Sequence, residues 1–315
     1  MLKKYFGLLA PLLVFYHRIR AILKLGILRY LRVRFLGADG IEKFPYFLSV
    51  VACAKNEGHD FAEWIEYHRI VGVEKFYIYD NESTDDTRKI LEPYIKSGVV
   101  EYIYWPGKKQ QLPMYRDGLL RAEKTSRWVA VIDLDEFLVP VKDDSVSDFL
   151  RKVPRGVNSV YLGWRSFSSN GHITRPVGLV IENYTKFSIG WQAGTGKSIV
   201  NPRAVVGVSN PHIFNLGRGR HTNEKFRTIH FWDWNGKISL SNQLKLSADD
   251  IRVNHYHTKS REEFLAKGGR GRASVRSGGV KYRFSIDRWN LLEQQPTMPD
   301  DSINRFIPAI KKRMQ

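Results

Sequence analysis

At 315 residues, with 43% hydrophobic and 13% aromatic side chains, the chain can bury a sizeable core, which excludes a disordered or low-complexity protein. A formal charge of +18, from 50 Lys and Arg against 32 Asp and Glu, draws it to an anionic partner: nucleic acid, an acidic membrane face or a phosphate-bearing substrate. One cysteine, Cys53, excludes an intramolecular disulfide, and in its apolar run it reads as core filler.

Residues 1–45 carry nine Lys/Arg against Asp39 and Glu42. The apolar run at 5–16 is too short for a span of ~20 residues and Pro11 interrupts it. Lys3 and Lys4 precede it as in a signal peptide, but no small-residue cleavage site follows. From Ala21 to Phe35 basic and apolar residues interleave, as in a segment lying on an anionic membrane, or in an ordinary helix with a solvated basic face.

From Leu48 the pattern alternates strand and helix. A buried-type strand covers 48–54, and Asp60 with Glu63 has capping-box spacing before a helix in which Phe61, Trp64, Ile65, His68 and Val71 share a face. A second strand covers 75–80. A helix follows from about Asp86 to Lys96, stopped by Gly98. A third strand at 99–104, an amphipathic helix at 112–126 and a fourth strand at 128–132 complete the series. The expected fold is therefore α/β, a mostly parallel sheet flanked by helices in a single main domain with a basic N-terminal segment. In such sheets ligands bind beyond the carboxyl ends of the strands, where Lys55-Asn56-Glu57, Asp80-Asn81-Glu82-Ser83 and Asp133-Leu134-Asp135-Glu136 fall.

Asp133 and Asp135, two apart after an apolar strand, share a face if the extended conformation continues. Two carboxylates so placed repel unless a proton or cation resolves the conflict, and a hard divalent ion would also bridge to a nucleoside diphosphate. The other reading is a pair of loop carboxylates capping the next segment. His255 and His257 flank Tyr256, so both can face one side of a strand. Either one can complete a metal site or be a satisfied structural histidine. Between residues 149 and 248 the acids are Glu182, Glu224 and Asp233. Glu182 is the favoured general base among them. Trp164, Phe167, Trp191, Trp232 and Trp234 are either an acceptor platform or core. The Gly- and Arg-rich stretch 259–283 reads as a basic lid or as a solvated loop.

Several ordered stretches together resemble glycosyltransferase family 92 and related family-2-like transferases. They are Lys55-Asn56-Glu57, Glu63-Trp64-Ile65-Glu66-Tyr67-His68, Tyr77 to Asp85, Ile132 to Phe137, Trp164-Arg165-Ser166-Phe167, Gly196 to Val200 and Asn254-His255-Tyr256 with Thr258-Lys259-Ser260. The resemblance implies a GT-A fold at 46–270, with a nucleotide-sugar half at 46–140, an acceptor and metal half at 141–270 and a basic tail at 271–315. It further implies a UDP-sugar donor, Mn²⁺ or Mg²⁺ and inverting transfer of a hexose, galactose favoured, to a glycan or glycolipid. By motif position Asp133, Asp135 and His255 are implied to hold the metal, and Glu57, Asp80, Asp133 and Lys197 to contact the donor. A peripheral position on the cytoplasmic membrane face is expected, and no nucleic acid. The rival classes are a nucleic-acid-binding protein and a nucleotidyl- or phosphotransferase using the same Asp pair. The first lacks a recognisable motif, and the second lacks a complete phosphate loop around Gly194-Thr195-Gly196-Lys197-Ser198.

Overall fold

The computed structural model describes residues 27–35, 44–189, 195–234, 237–240, 246–269 and 284–315, with isolated positions 15, 19 and 23. The strands in chain order are β1 (Tyr46–Ala54), β2 (Lys75–Asp80), β3 (Val100–Tyr104), β4 (Ser126–Val131), β5 (Glu136–Pro140), β6 (Val157–Ser166), β7 (Lys186–Ser188) and β8 (Gly196–Val200). They continue with β9 (Val205–Gly207), β10 (Asn215–Leu216), β11 (Arg220–Asn223), β12 (Phe231–Trp234), β13 (Lys237–Leu240), β14 (Ile251–His255) and β15 (Thr297–Pro299). The main sheet runs β3-β2-β1-β4-β8-β6-β14-β5, with β11 added beside β6.

The first half is parallel, because each strand returns through a helix: Phe61–Ile70, Thr87–Lys96 and Gln111–Ala122. The second half is mixed, since β8 runs antiparallel to both β4 and β6, and β5 antiparallel to β14. The α/β expectation holds.

Alternation along β1 sorts the core into two layers. Leu48, Val50 and Ala52 pack with Phe61, Trp64, Ile65, Phe76 and Ile78 on one face. Val51 packs with Tyr77, Tyr79, Met114, Tyr115 and Leu119 on the other. Gly118 makes the second layer possible, because a Cβ there would lie 2.6 Å from Val51 Cγ1.

Two expectations at element ends fail for long-range reasons. Asp60 and Glu63 form no capping box: no side chain caps helix Phe61–Ile70. The Asp60 carboxylate instead receives Lys259 and Arg175, and Glu63 accepts the Val180 and Ile181 N–H groups. The helix predicted to reach residue 126 stops at Ala122, because Ser126 enters β4 and its hydroxyl meets that of Ser49 at 2.7 Å.

β5 closes the sheet, and helix Phe61–Ile70 satisfies its free edge. Trp64 Nε1 donates to Glu136 O and Tyr67 Oη to Leu138 O, each at 2.8 Å, while Leu138 N–H donates to His68 Nε2. The stretch set apart as a tail joins the same core through Ile303, Phe306 and Ile310, so residue 270 is not a packing boundary. Near the other terminus, helix Ile27–Phe35 buries Val33 against Val206 and leaves Ile27 and Leu28 exposed. No helix among the described residues is long and apolar enough to cross a membrane.

Candidate active site

The register β1–β2 pairs Ala54 with Asp80, so the loops after both strands leave the sheet at one edge. They interlock there. Asn56, at φ +53°, donates its N–H to Ser83 Oγ and accepts Thr84 N–H on Oδ1 at 2.7 Å. Asp80, 2% exposed, accepts Ser83 N–H and the Tyr102 hydroxyl, so its carboxylate shapes the loop. Glu57 stands at the start of the short turn Gly58–Asp60, half-buried at the same edge.

Beyond β4 the chain does not stay extended. Glu136 N–H closes a turn onto Asp133 O at 3.0 Å, and the chain reverses into β5. The same-face expectation for Asp133 and Asp135 therefore gives way to a turn in which each carboxylate has its own cation.

Asp133 accepts the Tyr115 hydroxyl at 2.6 Å and Lys197 Nζ at 2.9 Å. Lys197, 1% exposed, also reaches Glu136, which has no exposure, at 3.4 Å. Asp135 faces His255 Nε2 at 3.5 Å through one oxygen and accepts Lys267 Nζ at 2.7 Å on the other. Close approach of β6 and β8 sets Lys197 in place: a Cβ on Gly196 would lie 1.9 Å from Leu162 O.

Burial acts to raise all three acids, and the neighbouring cations prevail over it at two of them. It works to raise Asp133, but Lys197 holds that carboxyl below the usual range. Asp135 is likewise opposed by burial, and Lys267 and His255 carry it well below. For Glu136 burial wins, only partly offset by Lys197, and the carboxyl is pushed well above its ordinary value.

An aromatic wall adjoins the acids. Trp164 lies 4.3 Å from the His255 ring and 5.2 Å from His212, centroid to centroid. His212 donates Nδ1–H to Gly196 O, and burial, then Lys197, lowers it to about 4. Phe167, by contrast, is core, 1% exposed and 4.7 Å from Tyr256. Trp191 and the side chains of Trp232 and Trp234 lie outside the described residues, as does the 270–283 part of the expected lid.

The structure thus brings Asp133, Asp135, Lys197 and His255 together, with Glu57 and Asp80 on the adjoining loops. It does not bring Glu182 to them: its carboxylate pairs with Lys311 and accepts Leu179 N–H. Tyr115, Glu136, His212 and Lys267 complete the cluster. Sequence reasoning gave the first and third no role, because their contacts span 18 and 16 residues or more.

Two carboxylates from the turn and an imidazole from the end of β14 are ligand types that suit a hard divalent cation, although their ligand atoms do not converge within 4.8 Å as placed here. His255 Nδ1 and Glu136 Oε1 are buried without a hydrogen-bond partner among the described residues, so the cluster has unmet polar capacity. A tighter trio, His59, Asp60 and Glu263, has ligand atoms within 4.8 Å of one another. Lys259 and Arg175 sit on its two carboxylates, as Lys197 and Lys267 sit on Asp133 and Asp135.

Fold and cluster define an α/β protein whose polar cluster lies beyond the carboxyl ends of its parallel strands. The sequence model of glycosyltransferase family 92 matches residues 49–265, and the chain belongs to that family. A family 92 protein of Oryza sativa subsp. japonica is 28% identical over 265 residues, covering 82% of this chain and 42% of that protein. One from Ricinus communis is 29% identical over 191 residues, covering 59% and 33%. The chain spans less than half the length of these curated relatives. Among solved structures, Staphylococcus aureus TarS 1–349 aligns over 50% of this chain and 47% of its own, at 14% identity and TM-score 0.34. Glucosyl-3-phosphoglycerate synthase from Mycobacterium tuberculosis, solved with Mn²⁺, UDP and glucosyl-3-phosphoglycerate, aligns over 51% and 58%, at 19% identity and TM-score 0.29.

Proposed function

We propose that this family 92 glycosyltransferase moves a hexose, galactose favoured, from a UDP-sugar to a glycan or glycolipid acceptor with inversion. The observation that carries the reading is the Asp133–Asp135 turn, which puts two ionised carboxylates, His255 and two lysines at one sheet edge. A divalent cation, Mn²⁺ or Mg²⁺, held by Asp133, Asp135 and His255 would supply neutralisation of the departing diphosphate. The chain's own groups prepare that place. Tyr115 orients Asp133, Lys197 keeps it ionised, and Trp164 packs against the His255 ring. The loops carrying Glu57 and Asp80 lie where a nucleoside would rest beside the strand ends.

The test is thermal unfolding against UDP and a panel of UDP-sugars, with and without Mn²⁺. At a hundredfold excess over Kd a ligand adds about 2.7 kcal/mol of stability. A rise in Tm that needs both UDP and Mn²⁺, and is lost in Asp135→Ala, is the expected result. No shift with any nucleotide removes the reading, and salt-sensitive binding of RNA in its place favours the nucleic-acid alternative.

The basic N-terminal segment supports a peripheral position on an anionic membrane face, the cytoplasmic one, through exposed Ile27, Leu28 and Leu31. Co-sedimentation with phosphatidylserine vesicles, absent with neutral ones, is the expected behaviour. Equal recovery with both sinks this part.

A further inference from the structure

Asp135 is contacted by Lys267, a lysine to which the donor-site reading gives no individual role. Helix Arg261–Gly269 delivers Lys267, whose Nζ donates to Asp135 Oδ2 at 2.7 Å and to His257 O at 2.8 Å. With His255 Nε2 facing the other oxygen, both oxygens of the carboxylate are engaged by groups of this chain.

The helix is fixed while its lysine is long. Phe264 is buried against Trp289 and Phe284. Glu263 accepts the Ser260 and Tyr184 hydroxyls and pairs with Arg175, and Arg261 N–H donates to His172 O. These contacts anchor the first turns. Lys267 stands in the last turn, followed by Gly268 and Gly269, and its charge rides on a flexible four-carbon stem. It can change partner without moving the helix.

A divalent ion at Asp135 and an ammonium on the same oxygen compete, since each withdraws the negative charge the other needs. The arriving diphosphate offers the displaced ammonium new oxygens. We propose that Lys267 is a placeholder cation: it neutralises Asp135 in the empty site, cedes that carboxylate to the metal, and turns to the diphosphate of the nucleotide. It is a positioning and binding residue, and this assignment rests on the donor-site reading above.

The two halves of the proposal have opposite signs in one variant. In Lys267→Met, Mn²⁺ alone, titrated by the EPR signal of the free ion, should bind about fivefold tighter, the upper range for releasing a partly exposed pair. UDP, titrated by calorimetry in saturating Mn²⁺, should bind roughly tenfold weaker, the loss of one hydrogen bond to a charged group. Lys267→Arg should keep UDP affinity within about threefold. Lys267→Gln, which retains a donor for His257 O, replaces the Met variant if that one unfolds. Equal or weaker Mn²⁺ binding in a neutral variant with wild-type Tm overturns the proposal, because Lys267 is then a fixed structural partner. Unchanged UDP affinity overturns it as well. Wild-type protein that binds neither Mn²⁺ nor UDP fails the donor-site reading itself, and the proposal with it.

Discussion

Lys197 is the residue whose removal should cost most for the least change in shape. It is 1% exposed, donates to Asp133 at 2.9 Å and lies 3.4 Å from Glu136. In Lys197→Met the stem is kept and the charge is lost. Asp133, 34% exposed on its side chain, can rehydrate, whereas Glu136, with no exposure, cannot. Breaking a buried pair from one side costs about 3–5 kcal/mol, and relief at Asp133 argues for about 3. At about 2 °C per kcal/mol for a chain of this size, Tm should fall by about 6 °C. The loss should depend on pH. Glu136 is pushed well above its ordinary 4.5, first by burial, and without Lys197 it is pushed further. A carboxyl raised in the folded state is fully accommodated below 4.5, where both states are protonated, and its contribution is lost as pH rises towards the folded value. The Tm deficit of the variant should therefore be smaller at pH 5 than at pH 8, measured by scanning calorimetry. Adding Glu136→Gln should restore at least half of it. A deficit under about 1 °C at pH 8, or one equal at both pH values, would refute the reasoning, since the ion pair would then carry no burial penalty.

Two further outcomes follow from side chains the structure places away from the acid cluster. Glu182→Gln should keep turnover within about threefold of wild type, because Glu182 pairs with Lys311 and holds Leu179 N–H. A loss beyond a hundredfold in a steady-state assay would reinstate it as the base. Glu63 is raised from 4.5 to about 7 by burial, against the pull of the Val180 and Ile181 N–H groups. Its stabilising contribution is therefore complete below 4.5 and lost as pH rises through 7, a span worth up to about 3 kcal/mol. Urea midpoints of Glu63→Gln between pH 4.5 and 8 should vary less than those of wild type. A parallel pair of curves would count against the assignment.

What the sequence disclosed follows from range. β1 and β2 were readable because a strand buried on both faces is a continuous apolar run, and the turn residues beyond it mark the edge where ligands go. Asp133, Asp135, Lys197 and His255 were readable as parts of ordered motifs. The partnerships were not. Lys267 meets Asp135 across 132 residues and Lys259 meets Asp60 across 199, and no local pattern encodes either pairing. The capping box failed for the same reason: Asp60 and Glu63 had the right spacing, but tertiary partners outcompeted the helix terminus for their oxygens. The mixed half of the sheet was hidden too, since β8 inserts between β4 and β6 and a strand's neighbour cannot be read from its own residues.

The charge at the site also clarifies what the overall surplus of positive charge does not do. Asp133 and Asp135, both held below the usual carboxylate range, stand against two ammonium groups, Lys197 and Lys267. Each of these carboxylates thus has its own ammonium, and ammonium groups so paired attract a diphosphate only weakly. Lys197 cannot leave, because Glu136 and Asp133 both depend on it. Lys267 can, since it stands 11% exposed at the end of its helix. A divalent cation arriving at Asp135 would offset the two negative charges of a sugar nucleotide's diphosphate and free an ammonium to meet it. On this account the affinity for UDP should track the metal concentration at the site. The basic segments at 1–45 would then affect only where the enzyme sits.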